Sequence, residues 1–134
     1  MDESVNGSWA AGVSAITLFA DDLAATRDFY LRVFRRPAVF EDDDSIAFDF
    51  DGLVVNILRA SEAGELIEPA RVGRDDEGVR FQLTLTVRDV DAVCAHLATV
   101  GVELLNGPSD RPWGVRTAAF RDPAGHVWEV AASA

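Results

Sequence analysis

The sequence predicts an α+β domain of two tandem βαβββ modules, forming one curved mixed sheet around a cleft with the helices outside. Two observations carry the prediction. The order strand, helix, then three strands is readable twice along the 134 residues, and matching residues of the two halves lie at constant offsets. Each half alone is too small to cover its own sheet, so the two must share a core.

Residues 1–12, "MDESVNGSWAAG", are acidic and rich in small residues and read as a flexible N-terminal arm; 13–134 form a single domain. In module one, 13–58, the loose alternation of "SAITLF" at 14–19 marks a strand, and Asp21 and Asp22 are candidate N-caps for the helix that follows. Leu23, Phe29, Tyr30, Val33 and Phe34 give that helix one broad apolar face, and Pro37 stops it. Three short strands follow near 37–41, 45–50 and 53–58. "EDDDS" turns the chain between the first two, and Asp51-Gly52 is a two-residue hairpin signal between the second pair. The polar stretch 59–79 is a connector; Arg71 and Arg74 on it read either as residues closing over the cleft or, as the default, as a solvated linker.

Module two, 80–132, repeats the order. "RFQLTLTV" at 80–87 is a strand, and Asp89 caps a helix with the stripe Val90, Val93, Cys94, Leu97, Val100, ending at Gly101. On that stripe Cys94 reads as a small core residue, and His96, off it, as a surface residue. Strands are expected near 102–105, 115–121 and 126–132, the last two joined by "DPAG" as a type I turn. Thr17, Leu18 and Asp22 match Thr84, Leu85 and Asp89 at a shift of 67, which sets Ala15 opposite Gln82. In the closing hairpins Gly52 to Asn56 and Gly125 to Glu129 are both steps of four, so Asn56 stands opposite Glu129.

Composition excludes several classes of function. A net charge of −11, from 23 acidic and 12 basic residues, argues against nucleic acid or an anionic membrane as partner and suits a cationic ligand. One cysteine rules out an internal disulfide and any multi-cysteine metal site. No segment has the length or apolarity of a membrane span or secretory signal, so a cytoplasmic location is expected.

The doubled βαβββ, the "LFADDLAATRDFY" start and above all "FRDPAGHVWE" resemble the vicinal oxygen chelate superfamily, which includes glyoxalase I, extradiol dioxygenases, fosfomycin resistance enzymes and bleomycin resistance proteins. The resemblance implies homodimerisation and a cleft whose metal-bearing members place ligands at four symmetry-related positions. Those positions fall on Ala15, Asn56, Gln82 and Glu129. Ala15 has no donor atom, Asn56 and Gln82 offer only amide carbonyls, and Glu129 alone fits. The expectation is therefore no cofactor, with a divalent metal at Gln82 and Glu129 as the alternative. His126, three residues from Glu129, points to the other face of its strand.

Strand alternation gives the cleft lining: Thr17 and Phe19 share Ala15's face, Thr84 shares that of Gln82, and counting back through "DPAG" puts Arg116 beside Glu129. Trp113, in "RPWG", reads either as a plug at the edge of the core or as a platform that stacks on a planar or cationic ligand. Bleomycin resistance proteins carry a similar "WG" ahead of their turn. Two functions follow: a metal-free module binding an antibiotic or metabolite, or an enzyme (lyase, isomerase or dioxygenase) with Glu129 as base or metal ligand.

Overall fold

The computed structural model describes residues 9–134, so residues 1–8 of the expected arm lie outside the described residues. Module one runs β1 (Ala15–Ala20), α1 (Leu23–Phe34), β2 (Ala38–Glu41), β3 (Ser45–Phe50) and β4 (Leu53–Arg59). The connector holds a 3-10 turn, Ala60–Glu62, and a single helical turn, α2 (Gly64–Ile67). Module two runs β5 (Gln82–Thr86), α3 (Val90–Thr99), β6 (Leu104–Asp110), β7 (Val115–Arg121) and β8 (Val127–Ser133). No helix among the described residues is long and apolar enough to cross a membrane.

The eight strands make two four-stranded sheets rather than the one continuous sheet expected, ordered β1-β4-β3-β2 and β5-β8-β7-β6. β1 and β5, the strands that would join them, are each the edge of their own sheet. In both sheets the first strand runs parallel to the last and the remaining pairs are antiparallel. A parallel pair needs a long crossover, and α1 and α3 lie within those crossovers.

Local chemistry explains the element ends. Asp22 and Asp89 are the N-caps, each accepting from the backbone N–H three residues on, Ala25 and Ala92, at 3.0 Å. Asp51 and Gly52 both take positive φ, 54° and 106°, as a two-residue type I′ turn requires, and Phe50 pairs with Leu53 across it. Asp42 organises "EDDDS": its Oδ1 accepts from the backbone N–H of Asp44 and Ser45, and these bonds hold its carboxyl below the usual range. β6 is longer than expected and carries Pro108; as an edge strand with two register shifts it tolerates a residue without an N–H.

One face of each sheet turns to the helices, and the two faces share a core. Leu18, Ile46, Phe48, Val55 and Ile57 come from the first sheet, Ala118, Phe120, Trp128 and Val130 from the second. α1 lies against both. Phe29 and Phe34 approach Phe120, and Phe34 packs 4.7 Å from Trp128, centroid to centroid. Such aromatic contacts add roughly 0.5–1.5 kcal/mol each beyond the area they bury.

Within this core lies a polar knot. The Tyr30 hydroxyl donates to Asp122 Oδ2 at 2.7 Å and accepts from Trp128 Nε1 at 3.0 Å. Asp122 Oδ1 accepts the backbone N–H groups of Ala124 and His126, both at 2.9 Å, and His126 Nδ1 lies 3.0 Å from Oδ2. In the C-terminal turns of the helices, Arg32 Nε donates to the Val100 carbonyl at 3.0 Å, and His96 Nε2 bonds the Val33 carbonyl at 2.9 Å. His96 is therefore a half-buried tie between α3 and α1, not the free surface residue expected; its bond crosses 63 positions and leaves no local trace in the sequence. Cys94 packs against the core, as its place on the stripe implies, and burial pushes its thiol up and away from reactivity.

Burial first, and the Asp122 charge second, raise the Tyr30 phenol far above its ordinary value. A group whose pKa is raised by folding stabilises fully below its unfolded pKa, near 10, and loses that contribution as pH rises beyond it. Alkaline titration should thus cost about 1.4 kcal/mol per pH unit above roughly pH 10. Tyr30 is the only tyrosine, so phenolate absorbance should appear only together with loss of the folded circular dichroism signal, and Tyr30→Phe should remove that slope. Asp122→Ala strands the Tyr30 hydroxyl and the His126 and Ala124 N–H donors, at about 1–3 kcal/mol for each group left buried and unpaired. Its urea midpoint should fall accordingly.

Candidate binding cleft

The faces turned away from the helices carry the candidate site. On the first sheet Ala15, Thr17 and Phe19 of β1 share a face, and Thr17 pairs with Asn56 of β4, which also pairs with Ala47 of β3. On the second sheet Thr84 of β5 pairs with Glu129 of β8, which also pairs with Ala119 of β7. The register Thr17–Asn56 is thus the register Thr84–Glu129 repeated, and the offsets read from the sequence hold in space. Ala47 and Ala119, buried at 6% and 4% exposure, are small neighbours that leave room beside the two polar side chains.

Glu129 is half-buried, and its Oε1 accepts from the Thr84 hydroxyl at 3.0 Å. Its other oxygen has no protein partner among the described residues. Gln82, Thr84 and Thr17 are exposed, Asn56 and Phe19 half-buried. Trp113 is 72% exposed in the turn between β6 and β7, which overturns the reading of this side chain as a plug in the core. That turn sits at the end of β8, since Val115 pairs with Ser133. Val115 is therefore on the order of 13 Å along the strand from Glu129, at about 3.3 Å per residue, and Trp113 lies two residues beyond it.

Arg116 is on the wrong face for the role expected of it. Its guanidinium reaches the helix side, where Nη2 meets Asp91 of α3 at 2.9 Å and Nη1 meets Asp110 at 3.1 Å. These bonds raise the guanidinium's pKa and lower that of Asp91. The cause is one residue in the hairpin. Asp122 N–H bonds the His126 carbonyl at 2.9 Å, so the loop is Pro123, Ala124, Gly125, with Gly125 at φ 92°: a three-residue loop closed by a left-handed residue. Arg121 consequently pairs with Val127 and Ala119 with Glu129. A one-residue slip exchanges the faces of a whole strand. His126 precedes β8 and closes this loop with Asp122, its ring nitrogen turned to the same residue.

The correct register puts Val115, Thr117 and Ala119 on Glu129's face, and with them an arginine that sequence reasoning passed over. Arg111 Nε donates to Thr117 Oγ1 at 2.8 Å, and its Nη2 to Asn106 Oδ1 at 2.7 Å. The signal was present in "DPAG": a glycine in left-handed conformation after a type I turn adds the residue that flips the strand.

As a metal centre the four symmetry-related positions fit poorly. Ala15 presents a methyl group, the two amides are weak neutral donors, and the one carboxylate already takes a hydroxyl hydrogen bond. Among the described residues no three His, Cys, Asp or Glu side chains are grouped as metal ligands.

The family model described as the Glyoxalase/Bleomycin resistance protein/Dioxygenase superfamily matches residues 12–130. A glyoxalase/bleomycin resistance protein/dioxygenase from Nocardioides superposes with a TM-score of 0.85 at 20% identity, covering 98% of this chain and 89% of that one. Lactoylglutathione lyase from Agrobacterium tumefaciens follows at TM-score 0.74 and 22% identity, covering 92% and 94%. An antibiotic binding protein from Streptomyces sp. CB03234 gives 0.72 at 22% identity, covering 96% and 100%. At such identities the likeness is one of fold, and it spans proteins described both as an enzyme and as a binder.

The register yields a discriminating pair of variants. Arg116→Ala should lower Tm at low ionic strength, with the deficit shrinking toward 1 M salt, where the Debye length falls to about 3 Å. Arg111→Ala should instead alter whatever binds beside Glu129; differential scanning fluorimetry with and without ligand separates the two.

Proposed function

This chain belongs to the glyoxalase/bleomycin resistance protein/dioxygenase superfamily, and from that premise we propose that it is a small-molecule-binding protein which holds an antibiotic or metabolite without a metal. The observation that carries this reading is the donor set: the repeated register brings Asn56 and Glu129 to equivalent places, yet only one of the four positions is a carboxylate and one is a methyl group. In the proposal Asn56, Gln82, Thr84 and Glu129 supply directional hydrogen bonds. Thr17 and Phe19 extend the lining, Arg111 takes the place expected for Arg116, and exposed Trp113 is a stacking platform. Glu129, with one oxygen unpartnered among the described residues, and the overall charge of −11 favour a ligand that is cationic or rich in N–H donors. Two copies of the chain are proposed to pair, bringing such faces together into closed clefts.

The competing reading is an enzyme in which Glu129 acts as a base or shares a divalent metal with Gln82. It draws on the same unpartnered carboxylate oxygen. Metal analysis of protein purified without chelator separates the two: stoichiometric Zn, Ni, Mn or Fe that disappears in Glu129→Ala would establish the enzyme reading. For the binding reading, a thermal-shift screen of bleomycin and planar cationic antibiotics should find a ligand that raises Tm. At a concentration 100 times its Kd, such a ligand stabilises by about 2.7 kcal/mol. The shift should vanish in Glu129→Ala; a screen with no shift, or one indifferent to that substitution, overturns the assignment.

A further inference from the structure

A cavity of about 180 Å3 lies away from Glu129, between the connector, the end of β1 and the β7–β8 loop. Phe19, Phe81, Val72 and Val79 give it apolar walls; Arg80 and His126 are among its polar lining. None of Asn56, Gln82, Thr84 or Glu129 lines it. The connector is seated firmly on the loop: a Cβ on Gly125 would come within 2.7 Å of the Asp75 carbonyl oxygen, so only glycine lets the two backbones meet. The volume decides the size of an occupant. It is close to the roughly 150 Å3 that holds one benzene ring and well under the roughly 300 Å3 at which drug-sized pockets begin.

Of the polar groups lining this cavity, His126 is the one that stands against an aromatic wall, beside Phe81, and its chemistry is set by the knot behind it. Asp122 already accepts from the Tyr30 hydroxyl and from two backbone N–H groups, so it acts toward Nδ1 as an acceptor too, and Nδ1 carries the hydrogen. In the neutral ring Nε2 then holds a lone pair. Nε2 has no hydrogen-bond partner among the described residues, and no buried side-chain nitrogen or oxygen is left unsatisfied. Nε2 therefore reaches accessible space, on a residue that lines the cavity. The Phe81 ring stands 6.1 Å from the imidazole, tilted by 48°. An acceptor beside the aromatic and aliphatic side chains of a ring-sized cavity calls for a ring with a hydrogen-bond donor.

We propose that this cavity is a second binding site, for a single-ring phenol whose ring packs against Phe19 and Phe81 and whose hydroxyl donates to His126 Nε2. A carboxylate is disfavoured on two grounds. It has no hydrogen to donate to Nε2, and Asp21 and Asp75 also line the cavity, outweighing Arg80 because Arg74 is paired with Asp76. The site shares Phe19 with the lining of the Glu129 cleft but none of that cleft's hydrogen-bonding groups.

Phenol itself is the probe, with anisole and benzoate as comparators, followed by the ring C–H resonances of the two histidines, His96 and His126, in proton NMR. Phenol should shift the His126 signals saturably and leave those of His96 in place; anisole, equal in shape but without the donor, should bind at least tenfold more weakly, and benzoate not measurably. His126→Ala should abolish binding. Phe81→Ala, at a position already 49% exposed and so safe for the fold, should weaken it severalfold. Equal affinity for phenol and anisole, or binding indifferent to His126→Ala or to Phe81→Ala, would overturn the assignment. Glu129→Ala tests the other site alone, so the two proposals fail separately.

Discussion

The carboxylate of Asp122 is 4% exposed, yet it is bonded on every side, and the arrangement of the two modules depends on it. A buried carboxylate is tolerable only when its lone pairs are filled. Here two are filled by the loop that contains it and one by a phenol from 92 positions earlier. The same phenol accepts from the Trp128 indole, so the ring that closes the hairpin, the aromatic floor of the second sheet and the first helix are fixed by one oxygen. The surrounding aromatic side chains exclude water, which strengthens each of these bonds and makes the loss of any one costly.

That knot also orients what faces outward. Closing a three-residue loop between Asp122 and His126 sets the β7–β8 register, which in turn puts Glu129 opposite Ala119 and beside Thr84. Arg111 and Arg116 are divided between the two faces by the same parity. One serves the candidate cleft through Thr117, the other braces α3 through Asp91. A polar cluster in the interior thereby decides which charges accompany an acid on the surface.

Much of the fold was legible because its signals are local. Asp22 and Asp89 announce helix starts, Asp51-Gly52 fixes a turn, and the shift of 67 between Thr17 and Thr84 reappears as a shared register. What was not legible is either non-local or depends on one residue of count. "DPAG" looks like a turn on either reading, but whether two or three residues close it reverses the faces of β7. The break into two sheets, the His96–Val33 tie and the hidden strand through Pro108 depend on where the edges fall. Around the candidate cleft, the equivalence of Asn56 and Glu129 was legible from the symmetry and the face of Thr84 from strand alternation; the place of Arg111 was missed with the register.

The knot is built from unlike halves. At the offset of 67, the partner of Tyr30 in α3 is Leu97, equally buried at 1% exposure but without a hydroxyl. The first module thus supplies the phenol and the second the acid and the indole, a division of labour that the shared architecture conceals. A chain made of two copies of either half would reproduce the strand order and still lack the fastening between them. Duplication gives this molecule its outline; its cohesion comes from the places where the copies have diverged.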